Sequence, residues 1–244
     1  MLVSPIDPND NCDWRGKPLL KRKHQTYLGR HRHTDLSANL KTMETARGKG
    51  AATLPELPRS ARPADRLLAV ATNLFSTHGI RAIGIDRILR ESGCAKASLY
   101  STYGSKEALV IAYLTEMDLA DRRRFEQATE KLADPVEKAL VFFDLARAKG
   151  VCCDFPGCLY SNAASEFPGV RFEPIDAHRQ WVRSTLTESF KAAGAASPGS
   201  TARQVQLLYD GALSASKVER SIEPIRFARR LAAEAIARAR AVEA

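Results

Sequence analysis

The stretch "SGCAKASLYSTYGSKEAL", residues 92–109, decides how this chain reads. A glycine is followed by a run of small and hydroxyl side chains, then by an aromatic-Gly-Ser turn. The run is too short and too polar for a buried strand or a full amphipathic helix. It predicts a helix of about seven or eight residues between two turns. On a helical wheel over 95–103, Ala95, Leu99 and Tyr103 recur at i, i+4 and i+8 and are expected to pack inward. Lys96 and Tyr100 fall on one flank, and Ser98, Ser101 and Thr102 on the other. Hydroxyls and a cation on the outer face suit a contact surface.

Upstream, "ADRLLAVATNLFSTHG" starts just after Pro63, a favourable first helical residue, and stops at Gly79. Leu67, Leu68, Ala71, Leu74 and Phe75 share one face. "IDRILRESG" follows, with Ile85, Ile88 and Leu89 facing inward and Gly93 as the turn. Downstream, Ser105 reads as the N-cap of a long helix with Glu107 in its first turn. Leu109, Tyr113, Leu114 and Met117 make that helix's apolar face. Two short helices joined by a tight Gly turn are the helix-turn-helix plan. Its second helix must enter a major groove about 12 Å wide, which favours a short helix with small polar side chains.

Residues 64–114 resemble the DNA-binding domain of the tetracycline-repressor (TetR/AcrR) family. "LFSTHG", "IDRILRESG" and "KASLYSTYGSKEAL" carry the resemblance in order, spacing and residue type. It implies that Tyr100 and Lys106 hold backbone phosphates. It implies that Lys96, Ser98, Ser101 and Thr102 face the groove, and that Leu99 and Tyr103 pin the recognition helix to its domain. Three positions depart from the family pattern. Gly84 stands where a capping Thr or Ser is common, Ala95 where Ser is common, and Thr102 where His is common. A lost cap costs roughly 1 kcal/mol, which the fold survives.

Further helices are expected over 135–149, 158–166, 174–193, 201–218 and 224–241, with Pro135, Pro174 and Pro224 near their starts and a loop at 192–200. The fold class is all-α, with about nine helices. The expected division is an irregular leader over 1–60, a helix-turn-helix DNA-binding unit over 61–107, and a helical effector-binding and dimerisation bundle over 108–244. The leader carries the basic run "KRKHQTYLGRHRH", and Met43 offers an alternative start for a shorter basic arm.

The net charge of +9 suggests a polyanionic partner, but residues 1–60 hold 11 Lys/Arg and 6 Asp/Glu and so carry +5 of it. The placement of charge, rather than its total, must argue for nucleic acid. Five cysteines in 244 residues form no secreted disulfide framework, and the start has no apolar signal segment. No run approaches the roughly 18 apolar residues of a membrane helix, so the expected location is cytoplasmic, without a membrane partner.

"VCCDFPGCLYSNAASEFPG", residues 151–169, gathers three cysteines. Cys152, Cys153 and Cys158 read as small buried hydrophobes, as oxidant- or electrophile-sensing thiols, or, with His178, as zinc ligands. Adjacent Cys-Cys is an unusual zinc spacing, so no metal or cofactor is assigned. "PGCLYSNAASEFP" and "ARQVQLLYDGALSASKVERS" resemble the sixth and eighth helices of one branch of the same family. That resemblance implies an effector cavity between helices four to eight and a homodimer seam through the helices near 201–218 and 224–241. Phe142, Phe143, Phe155, Asn162, Phe167, Trp181 and Tyr209 are the candidate lining residues, with Asn162 and Glu166 as polar anchors for a mostly apolar small molecule.

The expected function is a one-component transcriptional regulator without catalytic residues. It would be a homodimeric repressor on a pseudo-palindromic double-stranded DNA operator, released by a small-molecule inducer. The alternative is a thiol-based redox- or electrophile-responsive repressor using Cys152, Cys153 and Cys158. An enzyme would need a nucleophile-base order or a phosphate-cradling Gly loop, and the sequence offers neither.

Overall fold

The structure is a computed structural model and describes residues 61–241; the expected leader over 1–60 lies outside them. Regular structure among the described residues is helical throughout. It runs α1 (Pro63–His78), α2 (Ile85–Ser92), α3 (Lys96–Tyr103), α4 (Lys106–Thr129), α5 (Pro135–Cys152), α6 (Leu159–Glu166), α7 (Glu173–Ala192), α8 (Pro198–Glu219) and α9 (Glu223–Ala241). Among the described residues, no helix is long and apolar enough to cross a membrane.

Local chemistry sets these boundaries. Proline opens α1, α5 and α8, where its missing N–H has no helical partner to lose. Ser105 Oγ accepts the Ala108 N–H at 3.0 Å and caps α4. Asp134 accepts the Val136 N–H at 2.8 Å and caps α5. α2 ends at Gly93, whose φ of 62° is left-handed and favours glycine. α8 begins at Pro198, earlier than the periodicity predicts, because the proline nucleates a turn that its polar neighbours conceal. Ala95 also departs from expectation: it is exposed at the N-cap of α3 and takes no part in the core.

The core falls into two clusters. The first holds Leu67, Leu74 and Phe75 of α1, Ile88 of α2, Leu99 of α3, and Leu109 and Tyr113 of α4. Leu99 has no exposed surface, and burying such a side chain stabilises the fold by about 1.5–3 kcal/mol. Tyr160 and Ala163 of α6, with Phe172 and Ile175 at the start of α7, join this cluster rather than the second. The second cluster is built from α5, α7, α8 and α9 around Phe143, Leu186, Phe190, Val205 and Ile225. α8 packs on both α7 and α9, and α5 packs on α9.

Candidate nucleic-acid interface and effector region

α3 is held from its inner side. Leu99 is sunk into the first cluster, and the Tyr103 hydroxyl donates to the Ala64 carbonyl at 2.9 Å. Burial pushes the Tyr103 phenol above its usual pKa, so it remains a donor. Arg66 of α1 reaches the α2–α3 turn, donating to the Gly93 carbonyl at 3.3 Å and to Cys94 Sγ at 3.2 Å. These ties fix the helix against α1 and leave its opposite face free. Lys96, Tyr100, Ser101 and Thr102 are exposed on that face, and Ser98 is half-buried beside them. Ser101 Oγ donates to the Ser98 carbonyl at 3.2 Å, so these two residues interact within the helix.

Lys106 is placed differently. It is half-buried at the start of α4, and its Nζ donates to the Ile80 carbonyl at 2.8 Å. Burial lowers its pKa, while the Glu166 carboxylate opposes that shift. The sequence reading missed this tie to the α1–α2 turn, as well as the role of Glu166. Glu166, expected as a polar anchor for an effector, is committed to that same turn instead. Its carboxylate accepts the Ile80 N–H at 3.1 Å and the Arg81 N–H at 2.6 Å.

In the C-terminal part, four of the seven candidate lining residues come together. Phe142 meets Trp181 and Tyr209 edge-on at 5.4 and 6.0 Å, and Phe143 meets Tyr209 at 5.5 Å. Phe125 of α4 completes this wall, stacked on Phe142 at 4.5 Å. Phe167 lies apart, packed edge-on against Phe172 in the first cluster. Phe155 lies in the α5–α6 loop and Asn162 in the first turn of α6. Phe155 closes over Gly150 beside a void of about 10 Å³, no more than one water molecule requires.

That loop is strained and clasped. Asp154 and Phe155 have φ of 58° and 56°, left-handed values that a side chain of Phe's bulk rarely adopts. Asp154 pairs with Arg220 at the end of α8. Asn162 donates to the Pro156 carbonyl at 2.9 Å and accepts from Lys217 Nζ at 2.8 Å. Cys158 is the N-cap of α6, its Sγ 3.5 Å from the Ser161 N–H. Cys152 and Cys153 are exposed. Partial desolvation of its sulfur, reinforced by Cys153, pushes the Cys152 thiol up to about 11.

A buried polar cluster sits between the aromatic wall and α6. His178 Nδ1 lies 2.9 Å from Asp118 Oδ1, Arg122 Nε donates to Asp118 Oδ2 at 2.8 Å, and the Tyr160 hydroxyl donates to Asp121 at 3.0 Å. The His178 ring stacks on Tyr160 at 3.7 Å. Among the described residues, no group of three or more His, Cys, Asp or Glu is placed to hold a metal ion.

Residues 67–113 match the family described as bacterial regulatory proteins, tetR family. The chain belongs to the TetR family of transcriptional regulators. Its similarity to the HTH-type transcriptional regulator LmrA of Bacillus subtilis is 29% identity over 137 residues, covering 53% of this chain and 72% of that protein. An HTH-type transcriptional regulator of Mycobacterium tuberculosis is 37% identical over 81 residues, which are 33% of this chain and 39% of that relative. A TetR-family regulator from Streptomyces coelicolor superposes with a TM-score of 0.63 at 27% identity, covering 73% of this chain and 96% of the other. In this TetR-family regulator, the helix-turn-helix is α2, the Gly93 turn and α3.

Proposed function

We propose that the chain is a homodimeric repressor whose two copies of α3 enter successive major grooves, about 34 Å apart, on a pseudo-palindromic operator. In this reading residues 61–107 bind DNA, and residues 108–244 bind the effector and dimerise. The observation that carries it is the free polar face of α3, with Lys96, Tyr100, Ser101 and Thr102 exposed while Leu99 and Tyr103 anchor the helix from behind. Dimerisation is supported by the outer faces of α8 and α9, where Leu207, Val218 and Phe227 are 63%, 82% and 55% exposed. Gly211 and Ser214 lie between Leu207 and Val218 on the exposed side of α8, and such small residues allow a second helix close approach. The effector would part the rings of Phe142, Phe143, Trp181 and Tyr209 and favour a dimer whose recognition helices no longer match the operator. It must bind that state more tightly, and a coupling of about 1–3 kcal/mol is typical.

Selection of bound duplexes from a random DNA pool tests the reading. Two inverted half-sites about one helical turn apart are expected. Salt-sensitive bulk binding without a motif would overturn it.

The thiol-responsive alternative draws on the exposure of Cys152 and Cys153. The raised Cys152 pKa weakens it, because the thiolate is the reactive form. Cys158 serves as a helix cap, and serine is a better one. Cys158→Ser is therefore expected to keep both operator binding and release. A variant locked on DNA in the presence of oxidant or electrophile would favour the thiol reading.

A further inference from the structure

The α1–α2 turn is gripped from two sides at a single residue. The Ile80 side chain is buried, its N–H donates to Glu166 of α6, and its carbonyl accepts from Lys106 of α4. The next N–H, that of Arg81, donates to the second Glu166 oxygen, and Arg81 Nη1 returns to the Glu166 carbonyl at 3.3 Å. A side chain at Gly79 would stand 3.1 Å from the same carboxylate, so a glycine there leaves α6 room to approach. α6 has only eight residues, and its other end is tied as well. Asn162 is held by Lys217 of α8, and the preceding loop is clasped to Arg220. The short helix is therefore a strut from α8, the helix offered for dimerisation, to the turn that carries the recognition unit.

We propose that Glu166 is a positioning residue for operator recognition: its carboxylate, closed on the Ile80 and Arg81 amides, sets the angle at which each helix-turn-helix unit is held relative to the dimer. The proposal rests on the homodimeric operator-binding reading and adds a residue to it. Glu166 does not touch DNA in this scheme. It acts on the distance between two recognition helices and leaves the affinity of each for its own half-site unchanged. Two charge-assisted hydrogen bonds to consecutive amides form a directional joint, because both oxygens are fixed at once.

The test uses the full chain with Glu166→Ala and Glu166→Gln, on the duplexes selected for the wild type. Each protein is titrated against the operator with its half-sites at the native separation, against versions with one and two base pairs inserted between them, and against a single half-site. The wild type is expected to reject the lengthened operators. Glu166→Ala is expected to bind native and lengthened operators with near-equal affinity, and to bind the single half-site as the wild type does. Glu166→Gln, which keeps one acceptor oxygen, is expected to fall between them. Unchanged spacing discrimination in Glu166→Ala overturns the proposal. So does an equal loss on the single half-site, which would make Glu166 a support for folding of the unit rather than for its orientation. If Glu166→Ala does not fold, Glu166→Gln gives the same two readouts. If the wild type selects no paired half-sites, the dimeric reading fails first and this proposal falls with it.

Discussion

Tyr103 and His178 show how single side chains of this regulator are committed. The Tyr103 hydroxyl is spent on the Ala64 carbonyl, holding α3 to α1. Tyr103→Phe keeps the ring packing and removes that bond, and is expected to cost about 0.5–1.5 kcal/mol. The denaturation midpoint should fall with its slope unchanged. His178 is buried between α4, α6 and α7. It faces Asp118, Asp121 and Arg122 from α4 and Tyr160 from α6. Burial lowers its pKa from 6.5, opposed by the bond to Asp118. The folded state therefore binds a proton less readily than the unfolded chain, so the stabilisation is present above pH 6.5 and is lost as pH falls below it. Melting curves should show wild-type stability declining through that window, with a shallower decline in His178→Gln.

Among the elements, the helix-turn-helix was the most legible in the sequence. Its anchors are local: a glycine stop, an apolar stripe and a capping serine fall within a few residues of one another, so each could be read on its own. Ala95 shows the limit of the wheel, which treats the residue before a helix as part of it. The tie from Glu166 to Ile80 spans 86 residues, and no local pattern encodes it. A glutamate at the end of an amphipathic helix reads as solvated or as a pocket anchor, and only tertiary packing tells it apart. α2 also offers a direct test. Gly84 has N-cap dihedrals of −79° and 158°, and a side chain there would meet nothing within 4 Å. Gly84→Ser is expected to stabilise the protein by a few tenths of a kcal/mol. It should also strengthen binding to all duplexes alike through an added phosphate contact, measured by titration at several salt concentrations.

At the scale of the whole molecule, the order of helices was legible because proline, glycine and apolar spacing punctuate nearly every one. The candidate effector region was only partly so. Phe142, Phe143, Trp181 and Tyr209 meet because α5, α7 and α8 turn one face to a shared core. Phe155 and Phe167 are just as aromatic but are diverted by the α5–α6 loop and by the first cluster. The proposed assembly makes its own demand. Leu207 is 63% exposed on α8, and Leu207→Glu would place a charge in the seam. Sedimentation should show a monomer, with paired half-sites bound no better than single ones. An unchanged dimer would move the seam elsewhere.

The left-handed backbone at Asp154 and Phe155 carries a last consequence. Each such conformation costs about 1–3 kcal/mol that its surroundings must offset. The offset comes from the Arg220 pair and from the packing of Phe155 over Gly150, both of which require α8 and α5 to be already in place. This segment is accordingly expected to settle only after those two helices have formed. On warming, hydrogen exchange is expected to show its amides opening before those of the flanking helices.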